Sequence, residues 1–238
     1  MAKRPARKNV LPEPVEHTGL DEAGDMPLPY SGHLKTTTMQ LKAGTVLYRV
    51  HQQQYAAYQF NPGVAGNARF SPIRNAAGEA IPTLYGGVTQ DCAMMETVFH
   101  DVSFAPGLRT YDKTKLVGQV LSALEVSEDL QLLDLASIPL RKLGITRKEL
   151  IDTEKDRYPG TRKWAEAFHQ QCPTAQGLCW ISRQDDTARA VMLFGDRVSA
   201  ESLRQLGESL SLTNDSVTYD HLLDLAERLD VLIVPGRE

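Results

Sequence analysis

Residues 46–50 read Val46-Leu47-Tyr48-Arg49-Val50. The run is short, β-branched and aromatic, so it predicts a strand. Its arginine is out of place among apolar neighbours, because a guanidinium leaving water needs an anionic partner. That partner is a protein carboxylate or a ligand phosphate, and the run alone does not choose between them. Further along, a polar stretch rich in Gly and Asn at 61–66 leads into Ala68-Arg69-Phe70, which predicts a second short extended piece, again built around an arginine. A loop at 74–79 turns on Asn75 and Gly78. A third strand is expected at 81–85, ending on Tyr85 and followed by Gly86-Gly87.

Thr89 is placed to cap a helix over 90–102, with Asp91 in its first turn. Cys92, Met95, Phe99 and Val102 recur at helical spacing and form the expected core stripe. Glu96 lies beside that stripe, so its carboxylate is expected at the edge of the core, partly desolvated. Downstream, strands are expected at 116–126, 130–135, 177–182, 190–194 and 231–234. The polar stretch 147–158 reads as a short helix or a lid. Trp164, Ala167 and Phe168 mark a helix ending before Pro173. Leu222, Leu225, Ala226 and Leu229 mark an amphipathic one. Short strands mixed irregularly with a few helices predict an α+β fold rather than a regular alternation of strand and helix. The first strand is not followed by GxGxxG, so a nucleotide site here would not be of the Rossmann kind.

Bulk properties narrow the function classes. The chain has 238 residues, 42% of them hydrophobic, which is enough for a substantial core. Twenty-six Lys+Arg against 30 Asp+Glu give a net charge of −4, which argues against a nucleic-acid binder. Three cysteines without CxxC spacing (Cys92, Cys172 and Cys179) favour neither a disulfide framework nor a zinc finger. Residues 1–36 carry Pro5, Pro12, Pro14, Pro27 and Pro29 with few large apolar groups, and are expected to form a flexible arm before a domain at 37–238. Its basic start is not followed by an apolar region of the signal-peptide type, and no run is long enough to span a bilayer, so the cytoplasm is the expected location.

Five residues attract a chemical reading. Arg49 and Arg69 suit an anion. Tyr85, beside two glycines that open the backbone, suits a flat ring, although a core aromatic at a sheet end is the plainer explanation. Glu96 suits a developing positive charge on a sugar carbon, or else a structural ion pair with one of the arginines. Ser182 lacks a GxSxG setting, so hydrogen bonding to a ligand suits it better than nucleophilic attack. Glu96 and His100 are i, i+4, as a metal pair would be, but no third ligand suggests itself and no metal is expected.

Taken together, the pieces resemble the RES domain, a family named for its Arg, Glu and Ser. The resemblance runs through Leu47-Tyr48-Arg49-Val50, Asn67-Ala68-Arg69-Phe70, Leu84-Tyr85, Ala93-Met94-Met95-Glu96, Trp164-Ala165 and Gly177-Leu178-Cys179-Trp180-Ile181-Ser182-Arg183. It covers roughly 43–200, with a family-like end at 221–236. The family's usual Gly-Arg-Trp-Asn is here Ala68-Arg69-Phe70-Ser71, and its Tyr-x-Ser is Tyr85-Gly86-Gly87. The resemblance implies a fold like that of the ADP-ribosyltransferases and a toxin of a toxin–antitoxin pair. Its activity would be cleavage of NAD⁺ at the nicotinamide–ribose bond with phosphate or water as acceptor (NAD⁺ phosphorylase or glycohydrolase). NAD⁺ would then be a consumed substrate, with no further cofactor. The implied partner is an Xre-like antitoxin that blocks the active site, in a complex where the chain is expected to be a homo-oligomer. Arg49, Tyr85 and Glu96 would be catalytic, and Arg49, Arg69, Tyr85 and Ser182 would hold NAD⁺. A protein ADP-ribosyltransferase using the same site is the nearest alternative. An RNA-cleaving toxin and a non-enzymatic interaction module are more distant ones.

Overall fold

The structure, a computed structural model, describes residues 27–30, 32–102 and 107–236. In chain order its elements are β1 (Thr38–Leu41), β2 (Val46–Gln52), β3 (Ile73–Arg74), β4 (Ala80–Ile81), β5 (Thr83–Gly87), α1 (Gln90–Thr97), β6 (Arg109–Asp112), β7 (Gln119–Val126), β8 (Leu130–Asp134), α2 (Ser137–Leu143), α3 (Arg147–Leu150), α4 (Tyr158–Gln171), β9 (Gly177–Ile181), β10 (Arg189–Phe194), β11 (Leu203–Ser211), α5 (Ser216–Arg228) and β12 (Val231–Val234). This is the α+β class expected from the pattern.

Eight of the strands form one mixed sheet in the order β1-β8-β9-β10-β5-β2-β7-β11. Only β8 and β9 run parallel within it. The join between β5 and β2 matters most for function. β2 pairs with β7 along its whole length, and β5 pairs with β10 along its whole length. Yet β2 and β5 meet at a single register position, Tyr48 opposite Gly87. Beyond that point the two strands diverge, and a cleft opens in which Arg49 on one strand and Tyr85 and Gly86 on the other are exposed to the same space.

The helix after β5 closes one side of this cleft. Thr89 caps it as expected, its side chain accepting from the Cys92 N–H at 3.0 Å. Cys92 packs into an apolar group built on α4 and one face of the sheet, with Trp164, Phe168, Trp180 and Phe194. Ala93, Met94 and Met95 pack into another, shared with Leu222 and Leu225 of α5. α1 is therefore buried on most of its circumference, and the expected single stripe is too narrow a description. It also ends at Thr97 rather than 102. The Phe99 N–H reaches back to the Met94 carbonyl at 3.1 Å, which widens the last turn and lets Phe99 pack edge-on against Tyr111 with centroids 5.7 Å apart. Tertiary packing here overrides local periodicity.

Gly87 permits the close approach of α1 to the sheet. A Cβ at this position would lie 2.8 Å from Cys92 Sγ and 2.9 Å from the Ala93 backbone nitrogen. The backbone atom cannot swing aside, so Gly87→Ala is expected to destabilise the protein by about 1–3 kcal/mol, the usual cost of overpacking. A thermal melt unchanged from wild type would show that the helix is not wedged there.

Two other expectations are corrected. Ala68-Arg69-Phe70 is not a strand: Ala68 and Ser71 bridge each other, and Arg69 and Phe70 occupy the turn between them. Pro72 directly after the bridge cannot extend a ladder, because it lacks the N–H. Leu116 belongs to a 3-10 turn, and the strand expected from that residue starts at Gln119, after Gly118 at φ +74°. The expected arm lies outside the described residues at 1–26, but 32–36 are packed. Leu34 is buried in the α4 group, and its N–H donates to Gln171 Oε1 at 2.8 Å, while the Pro27 carbonyl accepts from the Trp164 indole at 2.7 Å. One buried leucine and these bonds hold the segment against α4 despite its prolines.

Candidate active site

The cleft between β2 and β5 contains a cavity of about 370 Å³, within the range of ligand sites. Arg49, Arg69, Tyr85 and Glu96 all line it. Four residues expected on sequence grounds to act together thus face one space, brought there by β2, the 68–71 turn, β5 and α1.

Their states differ. Arg49 Nη1 donates to the carbonyls of Ala57 and Gln59 at 2.7 and 2.8 Å, so this guanidinium also anchors the loop beyond β2. Burial lowers its pKa to about 10, which leaves it charged at neutral pH. Arg69 is 4% exposed, and its Nε and Nη2 are buried without a hydrogen-bond partner. Its guanidinium lies against the ring of Tyr158, with Cζ 5.6 Å from the centroid. Glu96 Oε1 is likewise buried without a partner. Among the described residues no ion pair joins Glu96 to either arginine. The neutralising explanation, a structural Arg–Glu pair, therefore does not account for either group. Buried groups of opposite charge that are not matched to each other give the cavity a polarity that suits a ligand carrying both signs of charge.

Tyr85 is fixed at both ends. Its hydroxyl accepts from the Phe70 N–H at 3.2 Å, and its ring meets Trp180 edge-on with centroids 6.3 Å apart. Burial pushes its phenol up to about 12, outweighing hydrogen bonds from Ser71 and Phe70 and the charge of Arg69. It is thus a protonated, rigid aromatic wall rather than a base.

A comparison with protein families matches residues 46–215 to the RES domain. The chain belongs to the RES-domain family. The match covers well over half of the sequence and spans every element that lines the cavity. The family is one of toxin-like, NAD-acting enzymatic domains. No curated protein matches the chain. Among the described residues no helix is long and apolar enough to cross a membrane.

In this RES-domain protein Ser182 lies away from the cavity wall. It is fully buried, and its Oγ accepts from the N–H groups of Gln184 and Asp185, both at 3.0 Å. Its hydroxyl builds the turn that follows β9. That turn nevertheless supports the site. Gln184 Nε2 donates to the His100 carbonyl at 3.0 Å, and Arg147 clamps the carbonyls of Ile181 and Ser182.

Several lining residues were not singled out beforehand as site residues. His100 was noted only for its spacing from Glu96, and Tyr158 only as the end of a polar stretch. The cavity brings them together with Asp101 and Lys155. Ala93, Glu96 and Thr97 follow i, i+3, i+4 on α1 and face the cavity, a spacing legible in the sequence, and His100 joins them from the turn after the helix. Tyr158, distant in sequence from all of them, carries no such signal.

Proposed function

We propose that this protein cleaves NAD⁺ at the bond between nicotinamide and ribose. The observation that carries the reading is that Arg69 Nε and Nη2 and Glu96 Oε1, all buried and without hydrogen-bond partners, belong to residues lining one cavity. NAD⁺ presents a complementary pattern, an anionic pyrophosphate and a cationic nicotinamide–ribose. Arg69, with the free edge of Arg49, binds the pyrophosphate through charge-assisted hydrogen bonds. Tyr85 forms a wall against the nicotinamide. Nicotinamide leaves as a neutral molecule and needs little acid assistance, so the barrier lies in the oxocarbenium-like sugar. Glu96 stabilises that cation, and the low-dielectric surroundings strengthen the interaction. In the cell an Xre-like antitoxin would cover the cavity.

Incubation of the purified chain with NAD⁺ should release nicotinamide together with ADP-ribose or its phosphate. The two sugar products separate water from phosphate as acceptor. Label appearing on protein instead of in a small product would favour the transferase alternative, and intact NAD⁺ would overturn the reading.

A further inference from the structure

Five side chains lining the cavity form a connected chain. Lys155 Nζ donates to Asp101 Oδ2 at 2.5 Å, and Asp101 Oδ1 lies 2.8 Å from His100 Nδ1. His100 Nε2 lies 3.0 Å from the Tyr158 hydroxyl. The Tyr158 ring in turn lies against the Arg69 guanidinium. Asp101 accepts, so His100 carries its proton on Nδ1, and its Nε2 lone pair faces the phenol. Burial would raise the Asp101 carboxyl, but the hydrogen bonds and charges of Lys155 and His100 win and hold it below the usual carboxylate range. It therefore stays anionic and can stabilise an imidazolium. Tyr158, His100 and Asp101 line the same cavity as Glu96, and His100 lies in the turn that follows α1, four residues beyond Glu96.

We propose that Tyr158 and His100 form a proton relay that activates the acceptor, and that the acceptor is a hydroxyl, with water the first candidate. This rests on the NAD⁺ reading above. The balance is simple. The C1′–N bond breaks and its electron pair leaves with nicotinamide. The acceptor oxygen forms the C1′–O bond, and its proton passes to the Tyr158 oxygen as the phenol proton moves to His100 Nε2. The imidazolium, held by Asp101, later returns the proton to solvent. Tyr158 touches the acceptor, whereas His100 and Asp101 act through it. An anionic nucleophile carries no proton to remove and gains nothing from the relay. The device is therefore specific to attack by O–H.

The test sets water against sodium azide, an anionic nucleophile, with NAD⁺ as substrate. Tyr158→Phe keeps the ring beside Arg69, and His100→Gln keeps a polar side chain. In each variant hydrolysis should fall about 10²-fold or more, the lower end of what general base catalysis contributes, while formation of the azido-ribosyl product stays within about twofold of wild type. The retained azide reaction also shows that the variants are folded. Equal loss of both reactions, or unchanged hydrolysis, overturns the relay. A wild-type protein that leaves NAD⁺ intact overturns the substrate reading and the relay with it.

Discussion

Glu96→Gln should leave the protein folded and lower nicotinamide release by about 10²–10³-fold, the range seen when one preorganised charge-stabilising group is removed. The amide has nearly the shape of the carboxylate and sheds only the charge. Glu96 Oε1 has no protein partner to lose, so neither the fold nor neighbouring hydrogen bonds should suffer. If the carboxylate acts on the cationic sugar, it matters most where charge is greatest, in the transition state. KM should then move only a few-fold while turnover collapses. Steady-state assays of the purified variant check this, and unchanged consumption of NAD⁺ would remove Glu96 from the chemistry.

Arg69→Met should do two things in opposite directions. The wild-type guanidinium is buried with two nitrogens unsatisfied, so an apolar side chain of similar length should raise stability. Replacing buried ionic groups with well-packed apolar ones has gained about 1–4 kcal/mol elsewhere. Losing the contact with Tyr158 removes about 0.5–2 kcal/mol of that. The melting temperature is therefore expected to rise by roughly 2–4 °C, for a net gain of about 1 kcal/mol in a chain of this size. NAD⁺ affinity should fall at least about tenfold, because a charge-assisted hydrogen bond contributes about 1.5–3 kcal/mol. Stability gained as function is lost is the signature of a residue kept for its ligand. A lower melting temperature with unchanged affinity would instead mark Arg69 as structural.

Much of this architecture was legible in the residues. The runs at 46–50, 177–182 and 190–194 are apolar and β-prone, and they became the sheet interior because nothing but burial suits them. Thr89 announced its helix through its capping chemistry. The elements that escaped notice have weak patterns. β11, Leu-Arg-Gln-Leu-Gly-Glu-Ser-Leu-Ser, is a largely solvent-facing edge strand with a glycine at a register shift, so it lacks the alternation that marks a half-buried strand. β1 has four residues. α2 carries Pro139, which only its place in the first turn makes tolerable. The convergence of Arg49, Arg69, Tyr85 and Glu96 was expected from their types and order. That Arg69 reaches the cavity from a turn and not from a strand is hidden, because the Ala68–Ser71 bridge that makes the turn leaves no periodic pattern. The turn-building place of Ser182 is not legible, because a serine at a strand end looks the same whether its oxygen meets a ligand or its own backbone. Tyr158 was hidden because only the folded chain brings α4 to the end of α1.

The unit that folds is longer than the stretch the family shares. Residues 46–215 include the whole cavity, yet the helix that bears Glu96 packs with Leu222, Leu225, Ala226 and Val231, all beyond that stretch. At the other end, Leu34 and Leu41 seal the sheet's opposite margin before it begins. The flanks are therefore scaffolding for the chemistry. Changes in them, far from any reacting atom, reach the active site by loosening the floor on which Glu96 stands.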